Sequence, residues 1–281
     1  MSHAGTVAQP RPAVAMNAQL TGLRDALHAE WTKLRTTAGP AWLLAATVAA
    51  TVAASATVTA AVRCPAGSAC PVDTTKLSLT GVEIGQAVVA ILAVLAISGE
   101  YSSGMMRITL TAMPRRITVL AAKAAVVGGL VLAAGTAGVL GSVLAGRLIL
   151  PGHGFTAARG FPLLSLGDGP TLRAAAGSVL YLGLIALLSL GVATAVRESA
   201  VAIGAVLGLL YLFPLIAAAF TSPHWHRHAE QIGPMTAGLA IQATTGLRSL
   251  PIQPWAGLGV LAAWSAGALI IGGLLLRLRD A

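Results

Sequence analysis

The polar residues that could do chemistry are concentrated in one segment between two apolar stretches. The segment begins Glu100-Tyr101-Ser102-Ser103-Gly104-Met105-Met106-Arg107 and continues through Pro114-Arg115-Arg116 to Lys123. A carboxylate, a phenol and several basic side chains are costly in lipid and are usually functional where they occur next to it. We therefore expect this segment to contact something in the cytoplasm.

Three histidines and two cysteines are the other candidates for a chemical site. His224, His226 and His228 alternate in sequence, which would put three imidazoles on one face of an extended segment. A metal site requires that such ligands converge in the folded chain, and a solvated turn is the plainer interpretation. Cys64 and Cys70 lie in a loop predicted to face outward, where a disulfide is permitted. We predict the Cys64–Cys70 disulfide and leave metal binding open.

The sequence has no motif for hydrolysis or for nucleotide binding. It contains neither HExxH, nor GxSxG, nor GxxxxGK[ST]. Ionisable residues are scarce in the apolar stretches: Glu83 is at an end, and Lys123 lies where it could snorkel to the interface. An ion-coupled transporter needs such groups near the midplane. We expect no catalytic residue and no cofactor in this chain, so ATP and Mg²⁺ would belong to a separate ATPase.

The composition indicates a membrane protein. The chain is 56% hydrophobic and 10% charged, with a mean hydropathy of +0.81, whereas soluble domains carry roughly 25% charged residues. The net charge of +9 would suggest nucleic acid in a soluble protein. Here Lys and Arg cluster at the ends of apolar stretches, and no basic face with interleaved aromatics occurs. We therefore expect membrane lipid, and no nucleic acid, as a partner.

Six apolar stretches predict an all-α membrane protein, because about 20 helical residues cross the hydrocarbon core. The predicted spans are 41–62, 82–98, 119–145, 172–196, 201–220 and 255–276. The glycines of the third span predict central packing. The longest outer connection, 222–254, is interpreted as a solvated turn followed by a re-entrant or interfacial helical hairpin.

The residues before the spans divide into two parts. Residues 1–18 are rich in Pro and Ala and are predicted to be a disordered tail. Residues 19–38 have leucines and Trp31 at helical spacing, which predicts an amphipathic helix in the membrane interface. Gly39-Pro40 should end that helix, and residues 39–281 should form the transmembrane domain.

The basic residues predict the orientation. With the N-terminus inside, eleven Lys and Arg residues fall on the inner side and seven on the outer side. The inner set is Arg11, Arg24, Lys33, Arg35, Arg107, Arg115, Arg116, Lys123, Arg197, Arg277 and Arg279. This bias is the one that the positive-inside rule expects. We therefore predict a bacterial cytoplasmic membrane protein with both termini in the cytoplasm.

Two stretches resemble a known family. The first is Ala29-Glu30-Trp31-Thr32-Lys33-Leu34-Arg35-Thr36-Thr37, followed by Trp42; the second is Gly99-Glu100-Tyr101, with Gly104, Arg107, Leu110, Pro114-Arg115-Arg116 and Lys123 behind it. With the six-span layout, these stretches resemble the membrane subunit of ABC-2-type ABC transporters, in particular small bacterial permeases that pair with a separate ATPase. The chain departs from larger members of the family because it has no large outer domain and no fused ATPase.

The resemblance implies two permease subunits, identical or different, and two ATPase subunits. It implies that the substrate path lies at the permease dimer interface, and that the N-terminal helix and the loop after the second span contact the ATPases. Carried over by position, the coupling candidates are Glu30, Trp31, Lys33, Arg35, Glu100, Tyr101, Gly104, Arg107, Pro114 and Arg116, with Glu100 and Arg107 as a candidate contact. The implied function is ATP-driven export of a drug, lipid or peptide. The alternatives are a membrane anchor for a cytoplasmic partner, a loop whose charges only set topology and, less favoured, a secondary transporter.

Overall fold

The computed structural model describes residues 12–65, 70–102, 104–105, 116–219 and 222–278. These ranges are mostly helical and contain no β-strand. The helices are α1 Pro12–Thr36, α2 Ala38–Ala61, α3 Thr74–Ser78, α4 Val82–Ser102, α5 Arg116–Ile149, α6 Gly169–Val196, α7 Ser199–Leu207, α8 Phe213–Ala218, α9 Pro223–Ile232, α10 Pro234–Leu239 and α11 Pro254–Leu278. A π-helical turn, Gly208–Leu212, joins α7 to α8.

Six helical segments are long and apolar enough to cross a membrane. They are α2, α4, α5, α6, the continuous segment Ser199–Ala218 formed by α7 and α8, and α11. The prediction of six helices long and apolar enough to span a membrane, in an all-helical fold, is therefore confirmed for the described residues. The bounds differ by a few residues, most at the third span, where α5 begins at Arg116 and ends at Ile149. At 1.5 Å per residue this helix is about 50 Å long, so its two ends mark opposite ends of the bundle.

We call these the proximal end, where α4 ends and α5 begins, and the distal end, where α5 ends and α6 begins. The helix at the centre of the bundle is α6, which packs against α4, α5 and α11. In its most apolar part 61% of the residues are buried, against 33% in α5. The predicted central packing of the third span is therefore wrong. Its glycines approach more than one neighbour: Gly138 and Gly141 meet α2, and Gly135 meets Leu182 of α6.

The N-terminal helix is longer than the sequence indicated. It begins at Pro12, within the segment 1–18 that was predicted to be disordered; residues 1–11 lie outside the described ranges. The chain is extended at Thr37, and α2 already begins at Ala38, so Gly39 and Pro40 lie inside the first turn of α2. Proline is accepted there because the first amides of a helix have no partner within it.

The connections at the distal end are fastened to one another by polar contacts. Cys64 and Cys70 form a disulfide, as predicted from their spacing. The carboxylate of Asp73 accepts hydrogen bonds from the amides of Lys76, Thr244 and Thr245 and from the Thr244 hydroxyl. Since Asp73 directly precedes α3 and Thr244 lies in the connection before α11, this carboxylate joins two distant loops.

The connection before α11 returns into the bundle. It contains α9 and α10, separated at Gly233, and then two short 3₁₀ turns. In α10 and the residues after it, Ala237, Leu239 and Ile241 are buried against α6 and α11. Irregular backbone at membrane depth is tolerated where protein surrounds it. The segment therefore packs inside the bundle, and its re-entrant or interfacial position stays a prediction.

Candidate functional site

Four charged side chains from three helices form one cluster at the proximal end. Glu30 and Lys33 come from α1, Glu100 from the last turns of α4, and Lys123 from α5. The ammonium nitrogen of Lys123 lies 2.6 Å from Glu30 Oε2 and 2.9 Å from Glu100 Oε1. The ammonium nitrogen of Lys33 lies 2.9 Å from the same Glu100 oxygen and 3.2 Å from Glu30 Oε1. We call these four residues the ionic cluster.

The helix geometry explains why these side chains meet. Ala26 and Glu30 are one turn apart and buried, and α1 packs with this face against α5. Lys33 is three residues further on and extends from the edge of the same face. On the bundle side, Lys123 also donates a hydrogen bond to the carbonyl of Ala96, so its ammonium bridges α5 to α4 as well as to α1.

The ionic cluster is buried and balanced in charge. Side-chain exposure is 3% for Glu30 and Lys123, 11% for Glu100 and 31% for Lys33. Two carboxylates face two ammonium groups, so the formal charges cancel. Burial alone would lower the pKa of Lys33, but the hydrogen bond to Glu100 and the negative charges of Glu30 and Glu100 raise it above its ordinary value. Removing one member of such a cluster leaves an unpaired buried charge.

One expectation about these residues is wrong. Lys123 does not snorkel to an interface: it is 2% exposed and ion-paired inside the protein. Glu30 belongs to the buried face of α1. The partners of Lys123 lie 93 and 23 residues away in sequence, so neither local spacing nor hydropathy relates them.

The remaining coupling candidates separate into exposed and packed residues. Trp31 is 45% exposed, and Arg35 is exposed at the end of α1. The guanidinium of Arg197 lies 5.3 Å from the centre of the Tyr101 ring. Arg116 Nη1 donates to the Leu276 carbonyl at 2.8 Å, which ties the start of α5 to the end of α11.

The segment after α4 is described only at two residues before α5 begins. Gly104 has a φ of +70°, which favours glycine over any residue with a side chain. Arg107 and Pro114, and therefore the predicted Glu100–Arg107 contact, lie outside the described residues.

The sequence also did not indicate a second buried polar network, between α4, α6 and the segment around the π-helical turn. Gln86 is fully buried in α4, and its side-chain oxygen accepts a hydrogen bond from the Tyr181 hydroxyl. The Gln86 amide nitrogen lies 3.3 Å from the Met235 sulfur, and the Tyr211 hydroxyl donates to the Glu83 carbonyl. A lone glutamine within an apolar span is the signal that could have pointed to it.

The three histidines do not share a face, because their segment is helical and not extended. His224 and His228 are one helical turn apart and adjacent, whereas His226 faces the Ala217 carbonyl and Glu230. Within the part of the chain that the structure describes, no group of three or more His, Cys, Asp or Glu residues could hold a metal ion.

No protein-family model matches the sequence, and no curated protein is similar to it. The functional argument therefore depends on the residues and their geometry.

Proposed function

We propose that this chain is the membrane subunit of an ABC-2-type exporter, a non-catalytic permease driven by a separate ATPase. The observation that carries the proposal is the ionic cluster. It ties the N-terminal helix to the ends of the second and third spanning helices, beside the polar segment that joins them. A protein without a nucleotide site needs such a mechanical connection if a partner is to move its helices.

The exposure of the candidate residues suggests two different roles, contact with the ATPase and transmission of its movement. Trp31 and Arg35 are exposed at the proximal end and available to a partner. Glu30 and Glu100 are buried and bonded inside the chain, so they would transmit a displacement of α1 to α4 and α5 and would not touch the ATPase. In this proposal the amphipathic helix lies in the membrane interface and the segment 103–115 contacts the ATPase.

The distribution of basic residues supports a cytoplasmic proximal end. Six spans put both termini on one side, and the eleven-to-seven bias of Lys and Arg favours the inner side for them.

Single cysteines at exposed positions would test this orientation: Thr32→Cys on α1 and Ala158→Cys in the α5–α6 connection. The native cysteines are joined to each other, so an impermeant maleimide added to intact cells should label position 158 alone. Labelling of position 32 instead would contradict the orientation.

The central experiment is co-expression with a Walker-motif ATPase encoded in a neighbouring reading frame. We expect a complex of two copies of each protein, if the permease is a homodimer, and ATP-dependent movement of a fluorescent phospholipid or of Hoechst dye in membrane vesicles. Arg35→Glu should reduce co-purification, whereas the charge-matched control Arg248→Glu, exposed at the distal end, should not. A complex that forms but never moves a probe would favour the anchor alternative. Transport by the purified chain alone would contradict the proposal.

A further inference from the structure

His224 and His228 of α9 are arranged as a chelate. They are four residues apart, and their Nε2 atoms lie 3.2 Å from each other. Two nitrogen ligands of a tetrahedral Zn²⁺, each at about 2.05 Å from the metal, are separated by about 3.3 Å. The distance between the imidazole nitrogens therefore already fits two corners of such a site.

The chemistry of the facing nitrogens also suits a cation. A hydrogen bond between two imidazole nitrogens needs one donor and one acceptor, so the pair shares a single proton between two lone pairs. A metal ion in place of that proton would bind both lone pairs. Two histidines one turn apart on a helix are also the pair through which HExxH helices bind zinc.

Helix α9 is held in place by contacts that do not involve the pair. Gln231 Nε2 donates to the Pro251 carbonyl at 2.7 Å, and Trp264 Nε1 donates to the Ile232 carbonyl at 2.9 Å. On another side, His226 Nδ1 lies 3.0 Å from the Ala217 carbonyl. The backbone under the two histidines is therefore fixed, and their side chains are exposed. A preorganised, accessible pair loses little conformational freedom on binding.

We propose that His224 and His228 form a bidentate site for a first-row transition-metal ion of the Zn²⁺, Cu²⁺ or Ni²⁺ class. Imidazole ligands favour these ions over Mg²⁺ and Ca²⁺. With two protein ligands, the remaining coordination positions belong to water. The bound ion cross-links one turn of α9. Because it binds the folded and not the unfolded chain, it stabilises the distal connection that contains α9. The proposal is independent of the proposed function.

The test uses the full-length protein, purified through an affinity tag without histidines and carrying His3→Ala so that this imidazole does not compete. Zn²⁺ is titrated calorimetrically. We expect one Zn²⁺ per chain, and His224→Ala or His228→Ala should each weaken binding by roughly tenfold or more, because the second imidazole no longer binds intramolecularly. Lowering the pH by about two units should weaken binding too, since the imidazoles must lose their protons.

The matched control is His226→Asn. It removes the third imidazole of the same helix but keeps a side-chain N–H donor for the Ala217 carbonyl, and it should bind Zn²⁺ like the parent protein. Trp225 gives a second readout, since its ring centre lies 6.0 Å from that of His224: Cu²⁺ at the pair should quench its fluorescence, and Trp225→Phe should remove the quenched component. Unchanged Zn²⁺ affinity in both alanine variants, or an equal loss in His226→Asn, would overturn the proposal.

Discussion

Replacing Lys123 by methionine tests whether the ionic cluster fastens α1 to the bundle. Methionine fills nearly the same volume but removes the ammonium group that lies 2.6 Å from Glu30 and 2.9 Å from Glu100. The cluster then contains two carboxylates and the single ammonium of Lys33. Glu30, which is 3% exposed, loses the closer of its two ammonium partners.

The magnitude follows from the distances and the burial. At an effective dielectric constant of about 20, each contact of Lys123 is worth about 6 kcal/mol of Coulomb energy, which the cost of removing the charges from water largely offsets. Breaking a buried pair by deleting one partner typically costs about 3–5 kcal/mol. A loss of that size corresponds to a fall in Tm on the order of 10 °C.

The assay is thermal unfolding of the purified protein in detergent. We expect Lys123→Met to unfold at a temperature well below that of the parent protein. The double variant Lys123→Met/Glu30→Gln should recover part of the loss, because the Glu30 side chain is then neutral and the Lys33–Glu100 pair at 2.9 Å is kept. Lys33→Met is the control: its side chain is 31% exposed, so water can screen the change and the effect should be smaller. If Lys123→Met unfolds at the same temperature as the parent protein, or if Lys33→Met unfolds at a lower temperature than Lys123→Met, the ionic cluster does not hold α1 against the bundle.

Two further predictions concern the distal end and the helix packing. Burial alone would raise the pKa of Asp73, but the hydrogen bonds that its carboxylate accepts from backbone amides and from Thr244 lower this pKa overall. The ionised carboxylate therefore contributes its full stabilisation above the pKa of the unfolded chain, about 3.9. This stabilisation is lost as the pH falls through the lower pKa of the folded protein. Asp73→Asn should unfold at a lower Tm than the parent protein at neutral pH, and the difference should shrink in acid; a constant difference would contradict the assigned role. Gly257→Ala should destabilise the fold by about 1–3 kcal/mol, because its Cβ would overlap the carbonyl of Ala237. Gly259→Ala, with nothing within 4 Å of the added carbon, should leave the Tm unchanged, and equal effects of the two alanines would refute this packing.

The spans could be predicted because their cause is local. A helix that crosses lipid must be apolar for about 20 residues in succession, and this is visible in the sequence without any partner. The centre of the bundle was not visible in the same way. The glycines of α5 indicate that another helix can approach its backbone closely. Which helix the others surround depends on the faces of all six spanning helices. Helix α6 is buried on most of its faces because small and apolar residues occur all around it.

The candidate site was predicted only in part, for the same reason. Glu100 was singled out as a polar residue next to a span, and Glu30 and Lys33 through the family resemblance; the three do converge. Lys123 was assigned to the interface, because a single lysine near a helix end usually reaches water. Whether such a lysine is solvated or ion-paired depends on where α1 packs, and the helix folds back with Glu30 towards α5. The environment of Lys123 is thus decided by a contact with a residue 93 positions away in sequence.

If the proposed function holds, the ionic cluster limits how the protein can move. Breaking it costs several kcal/mol, so the proximal ends of α1, α4 and α5 should move as one body when the ATPase closes. Spin labels at exposed positions test this: Thr32→Cys with Ala121→Cys reports within the body, and Thr32→Cys with Leu278→Cys reports between α1 and the end of α11. Addition of ATP to the complex should leave the first distance unchanged and shift the second, which requires that the Arg116–Leu276 hydrogen bond opens. An equal shift in both would mean that the cluster opens during transport, and that α1 moves separately from the helices it contacts.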